Sequence, residues 1–199
     1  MLKTLLYLSA GFACLSAATA FKVGGHGENA ATVQSTPDAQ CYVRSIPFTD
    51  YGNEGKTEVL GVRASGDELL DQYPFYMRGQ LYLGWSPLAG KWCVVQVEPE
   101  RITSENDMMK LGKVSRLVFY MGGKQIAGYS GEDLSQMGLR EKVSTLVHRV
   151  PGQFLVRGIQ QIPLTNQYVF VMERTKETGT EIISLDITTG KILSRGSHG

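Results

Sequence analysis

Short runs of β-branched and aromatic residues, each cut off by Gly, Pro, Asn or Thr-Gly, follow one another through most of this chain. They occupy residues 59–63, 76–85, 91–97, 114–121, 154–161, 167–173, 180–187 and 191–194. Such residues fit a pleated, half-buried surface, and runs of this length bounded by turn formers read as strands. The glycines of Glu177-Thr178-Gly179-Thr180 and Thr188-Thr189-Gly190-Lys191 supply the positive φ that tight hairpins need. Gly122-Gly123 does the same between Leu117-Val118-Phe119-Tyr120 and Gln125-Ile126. The sequence therefore predicts antiparallel sheets.

One stretch has a different period. Leu139, Val143, Leu146, Val147 and Val150 fall on one face of a 3.6-residue repeat, which predicts an amphipathic helix packed on a sheet. Ser130 followed three residues later by Asp133 resembles a capping box, Gly138 divides the segment, and Pro151-Gly152 ends it. The expected fold class is α+β: antiparallel β-sheets with one or two packing helices.

The first 20 residues fix the compartment. Lys3, an apolar run over residues 5–15 and Ala18-Thr19-Ala20 form the pattern of a secretory signal peptide, so export to the periplasm or the medium is expected, with mature residues from Phe21. No stretch reaches the roughly 20 apolar residues of a membrane helix, so no stable membrane insertion is expected. Residues 21–40 are rich in Gly, Ala, Ser and Thr and short of large apolar side chains, which predicts a flexible arm. Within it, His26 among glycines lacks partners for a metal or anion site. Domain organisation is then 1–20 signal peptide, 21–40 arm, 41–127 first unit and 128–199 second unit.

Charge is nearly balanced, 20 Lys+Arg against 19 Asp+Glu, with no block of one sign. That gives no footing for a nucleic-acid partner. Cys14 lies in the signal segment, in surroundings that make a poor lipid-attachment site, leaving Cys41 and Cys93. Two cysteines in an oxidising compartment predict one disulfide, closing a loop of about 50 residues worth on the order of 4 kcal/mol.

Two echoes raise a duplication. Ser65-Gly66-Asp67-Glu68-Leu69 returns as Ser130-Gly131-Glu132-Asp133-Leu134, and Gly123-Lys124-Gln125-Ile126 returns as Gly190-Lys191-Ile192-Leu193, at nearly equal offsets. If the repeat is real, the chain holds two tandem helix-plus-hairpin units and residues 67–73 begin a helix. The second unit runs helix, Pro-Gly, strand, strand, then Ile182 to Leu193 around Asp186 and Gly190-Lys191. It resembles a PepSY domain, whose closing hairpin carries an Asp, a spacer and Gly-Lys, here with one residue more in the spacer. The resemblance covers about residues 130–195, and 65–127 as well if the units are duplicates. It implies an exported protein that binds or restrains a partner, and it brings no catalytic residues.

Signatures of secreted enzymes are incomplete in this chain. Gly128-Tyr129-Ser130-Gly131-Glu132 lacks the last glycine of a nucleophile elbow, and Ser130 serves better as a helix cap. His26, His148 and His198 lie far apart, and no zinc or calcium motif is present, so no metal and no cofactor is expected. Met121-Gly122-Gly123-Lys124 lacks the spacing of a phosphate loop. Glu98, Glu100, Glu105 and Asp107 read as a solvated connection. The turn Trp85 to Trp92 has a lipocalin-like look but stands too far from the mature start.

What remains is aromatic density. Tyr73, Phe75, Tyr76, Tyr82, Trp85 and Trp92 crowd into 20 residues, and aromatic side chains are enriched at protein interfaces. Tyr76, Tyr82, Trp85 and Trp92 are the candidate partner-binding residues, with Leu81, Leu83 and Trp85 on one face of a strand and Tyr82 and Gly84 on the other. The sequence thus points away from an enzyme and toward an exported, non-catalytic protein that binds a protein or peptide. An accessory subunit of an envelope or secretion assembly is the first alternative; a secreted enzyme or small apolar ligand carrier is the second. Oligomeric state is left open.

Overall fold

The computed structural model describes residues 29–99, 114–137, 140–141, 153–162, 167–176 and 179–198. Among these the chain folds into three stacked sheets, two of them antiparallel meanders and the third a meander with one short parallel strand added at its edge. The first holds β1 (Thr32–Ser35), β2 (Cys41–Pro47), β3 (Gly55–Gly61) and β4 (Glu68–Tyr73) in that order. The second holds β5 (Gln80–Ser86), β6 (Lys91–Pro99), β7 (Val114–Met121) and β8 (Lys124–Ser130). A short helix, α1 (Gly131–Gln136), leads to the third sheet, formed by β9 (Arg140–Glu141), β10 (Gln153–Ile162), β11 (Gln167–Lys176), β12 (Gly179–Asp186) and β13 (Ile192–His198). Its order is β13-β12-β11-β10-β9, and only the two-residue β9 pairs in parallel.

The second sheet lies between the other two because alternate residues of its strands are apolar on both faces. Leu81, Leu83, Val94, Val118 and Tyr120 pack with Cys41, Val43, Val59 and Tyr73 of the first sheet. Cys93, Val95, Val97, Leu117 and Phe119 pack with Phe170, Met172, Ile183, Leu185 and Ile187 of the third. Two hydrophobic layers thus flank one sheet. Each outer sheet keeps one face for solvent.

This architecture corrects the expected α+β class. The described residues are almost wholly antiparallel β, and their one helix is six residues long. The amphipathic face beginning at Leu139 lies outside the described residues except for Arg140–Glu141, which form a strand. Residues 68–73, expected to start a helix, form β4 and pair with β3 through a bulge at Val59/Leu60. The acidic start resembled a cap locally, but sheet pairing outweighed it. With a strand where the repeat requires a helix, the first half does not follow the helix-plus-hairpin plan of the duplication, and the PepSY resemblance is left to residues 130–195. The boundary expected between 127 and 128 falls inside β8, and the signal segment lies outside the described residues. Within the expected arm, residues 32–35 form β1, held by β2; the Tyr76 hydroxyl adds a bond to the carbonyl of Ala30 at 2.8 Å.

The cap at Ser130 forms as the spacing predicts. The Ser130 amide and hydroxyl donate to Asp133 Oδ2 at 2.8 and 2.7 Å, and the Asp133 amide donates back to Ser130 Oγ at 3.2 Å. The Ser130 hydroxyl, then its amide, holds the Asp133 carboxyl below its ordinary range. A carboxylate lowered in the folded state stabilises fully above its unfolded pKa and loses that contribution as pH falls through the folded one. Ser130→Ala should therefore lower the thermal midpoint at neutral pH and hardly at all at acid pH, flattening the acid limb, as differential scanning calorimetry from neutral into the acid range would measure.

Candidate functional site

The β5–β6 hairpin brings the two tryptophans together. Trp85 and Trp92 are directly opposite in register, and their rings meet edge to face at 5.3 Å and 62°. Such a cross-strand aromatic pair stabilises the hairpin end. Trp92 packs partly against the core between the first two sheets, whereas Trp85 stays 37% exposed. Between them the connection is one helix-like turn. The Gly90 amide bonds the Ser86 carbonyl at 2.8 Å, the Ala89 amide bonds Ser86 Oγ at 3.1 Å, and Gly90 takes φ +59°. That turn pushes Leu88 out to 90% exposure.

The neighbouring turn buttresses this end. Gly122 and Gly123 both have positive φ, at +59° and +79°, the mirror-image turn that matches strand twist. The Gly122 amide donates to Asp71 Oδ2 at 3.2 Å, and the Tyr73 hydroxyl donates to the same oxygen at 3.1 Å. Burial, with Asp71 beside it, raises the Tyr73 phenol, so it remains a donor. These bonds tie β4 of the first sheet to the β7–β8 turn. Lys91 lies alongside Gly122 and is exposed, as is Lys124.

The expected contact residues therefore divide. Trp85 and Trp92 form the exposed end. Tyr76 is 4% exposed and spends its hydroxyl on Ala30. Tyr82 faces the third sheet, where its ring meets Phe170 at 5.3 Å and its hydroxyl donates to Gln80 Oε1 at 2.9 Å. Alternation along β5 places Leu81 and Leu83 toward the first sheet and Tyr82 and Gly84 toward the third. Leu88 was missed because a leucine between Pro87 and Ala89 carries no periodic signal. Exposed Phe48 and Tyr51, in the β2–β3 connection, were missed for the same reason.

Groups considered for chemistry have structural occupations. Glu98, expected in a solvated connection, is the next-to-last residue of β6 and only 7% exposed, with Arg78 Nε donating to it at 2.8 Å. Glu100, Glu105 and Asp107 lie outside the described residues, as do His26 and His148. Two residues along, Gln96 takes a bond from the Tyr120 hydroxyl at 2.9 Å and gives one to the Arg78 carbonyl at 2.7 Å. Ser45 and Thr57, both fully buried, satisfy each other at 2.8 Å and receive the Met77 amide. Among the described residues no group of three His, Cys, Asp or Glu side chains converges as metal ligands, and no helix is long and apolar enough to cross a membrane.

The cysteines are apart. Cys41 sits in the core between the first and second sheets, Cys93 in the core between the second and third, and both are unbonded. The pairing expected from their count is not formed, because the middle sheet separates the two layers. Burial pushes the Cys93 thiol up to about 12 and also raises Cys41, so neither is poised as a thiolate. Protein lacking residues 1–20, and with them Cys14, should label slowly with iodoacetamide at neutral pH when folded and take up two equivalents in denaturant; mass spectrometry without reduction would count them.

No protein-family model matches the chain, and no curated protein matches it. Fold and site together define a three-layer β protein whose apolar turns stand at its ends.

Proposed function

We propose that this is an exported, non-catalytic binding protein that grips a protein or peptide partner with the β5–β6 hairpin end. The observation that carries this reading is Leu88, 90% exposed on a hydrogen-bonded turn beside the Trp85–Trp92 pair. A leucine on a hydrogen-bonded turn and an indole on the paired strand leading into it lose little conformational freedom on docking, and tryptophan is the residue type most often dominant at interface centres. Export is supported by the residue pattern of the first 20 positions.

Trp85→Ala should weaken capture of the native envelope partner by about 2 kcal/mol, roughly 30-fold, without loss of fold. Tagged mature protein, Trp85→Ala and Ser130→Ala would be compared for the partners they retain at graded dilution. A partner held equally by all three would remove the hairpin from the interface. A hydrolytic activity lost in Ser130→Ala at unchanged thermal midpoint would replace the reading with an enzyme.

A further inference from the structure

We infer that the partner of the hairpin end is the opposite end of a second copy of this chain, giving head-to-tail association. The inference rests on the hairpin being a contact surface. Its complement is the β2–β3 connection, residues 48–54, which presents Phe48 at 67% and Tyr51 at 58% exposure.

That connection is held in shape. The Phe48 amide bonds the Glu54 carbonyl at 2.9 Å, and the Asn29 amide bonds the Asp50 carbonyl at 2.7 Å. Asn29 Nδ2 donates to the carbonyls of Thr49 and Gly52, each at 3.0 Å, and the Tyr76 amide bonds the Asn53 carbonyl at 2.9 Å. Two aromatic rings on a fixed backbone form a preorganised contact, as at the hairpin.

Charge supplies the pairing. Asp50 and Glu54 are exposed and have no ion-pair partner among the described residues, because nearby Lys56 is committed to Glu58 at 2.7 Å. At the hairpin, Lys91 and Lys124 are equally without an acidic partner among the described residues, and residues 86–92 contain no Asp or Glu. An acidic aromatic loop faces solvent at one end and a basic aromatic hairpin at the other.

One molecule cannot join them. The loop bonds Tyr76, and β5 then runs seven residues, about 20 Å, away to the hairpin. The two patches therefore meet only between copies, and a contact between unlike patches propagates into rings or open chains rather than closing as a two-fold dimer. Patches this small bury less than the ~1,200 Å² of standard stable complexes, so association is weak and concentration-dependent. Salt weakens it.

Sedimentation of the full mature chain from micromolar to millimolar concentration tests this. Average mass should climb past that of a dimer and fall back at high salt. Asp50→Lys and Lys91→Glu, both at exposed positions and checked for an unchanged thermal midpoint, should each weaken association roughly tenfold or more. Their equimolar mixture should regain it, since native hairpin then meets native loop and the reversed charges meet each other. A monomer at every concentration would overturn the inference, as would an Asp50→Lys protein that associates like the parent. Loss of an envelope partner in Trp85→Ala by a protein that stays monomeric would defeat self-association yet leave hairpin binding standing.

Discussion

Gly190→Ala should lose about 3 kcal/mol of stability and roughly 6–12 °C in thermal midpoint. Gly190 ends the β12–β13 turn at φ +69°, where an alanine is strained. Its missing side chain is also where the third sheet touches the second. A Cβ built there would stand 2.4 Å from the Ala127 Cβ and 3.2 Å from Phe119 Cδ2. Ala127 belongs to a strand and cannot swing aside, and the Tyr129 hydroxyl pins the turn through the Gly190 carbonyl at 2.7 Å. Gly196→Ala is the control, because nothing lies within 4 Å of its Cβ position; it should change stability by less than about 0.5 kcal/mol. Comparable losses in the two variants, measured by thermal unfolding, would mean that the turn is not docked as described.

Phe170→Ala should be costlier, about 3–5 kcal/mol by guanidinium unfolding. Phe170 is fully buried at the centre of the layer between the second and third sheets. Its ring meets Tyr82 at 5.3 Å and Phe119 at 6.0 Å, both edge to face, so truncation opens a cavity and breaks two aromatic contacts. Because Phe119 and Phe170 touch, their two alanine variants should not add; a double-mutant cycle would give a coupling beyond about 0.5 kcal/mol. Full additivity would place the rings in separate clusters. Tyr82, expected from its aromatic character to meet a partner, belongs to this cluster and should affect stability before affinity.

Strands were legible wherever local chemistry and sheet pairing agree. The β-branched runs of β6, β7, β11 and β12 declare themselves without context, and Gly122-Gly123 and Thr189-Gly190 mark their turns. The unbroken apolar run Trp92 to Val95 also carries the sign of a strand buried on both faces, the mark of a middle sheet. β4 was illegible because Ser65-Gly66-Asp67-Glu68 has a helix opening's chemistry, and only pairing with β3 decides otherwise. β1 was illegible because residues 29–36 bury little themselves and owe their order to β2 and to a hydroxyl 46 positions away. Cysteine count fixed a parity and said nothing of layers. Of the contact residues, the Trp85–Trp92 pair could be read from its spacing across a turn, whereas separating Tyr76 and Tyr82 from it required knowing which faces are covered.

A sheet wedged between two others has no face left on which novelty can accumulate. Along β6 and β7 nearly every side chain already answers to one neighbouring layer or the other, so a change that adds polarity there damages a core. Only the rims of such a sheet are free to diversify without disturbing the stack. In a lineage built on this plan, new specificities should be expected to arise by lengthening or rewriting the hairpin tips, much as a handle is recut on an unchanged blade.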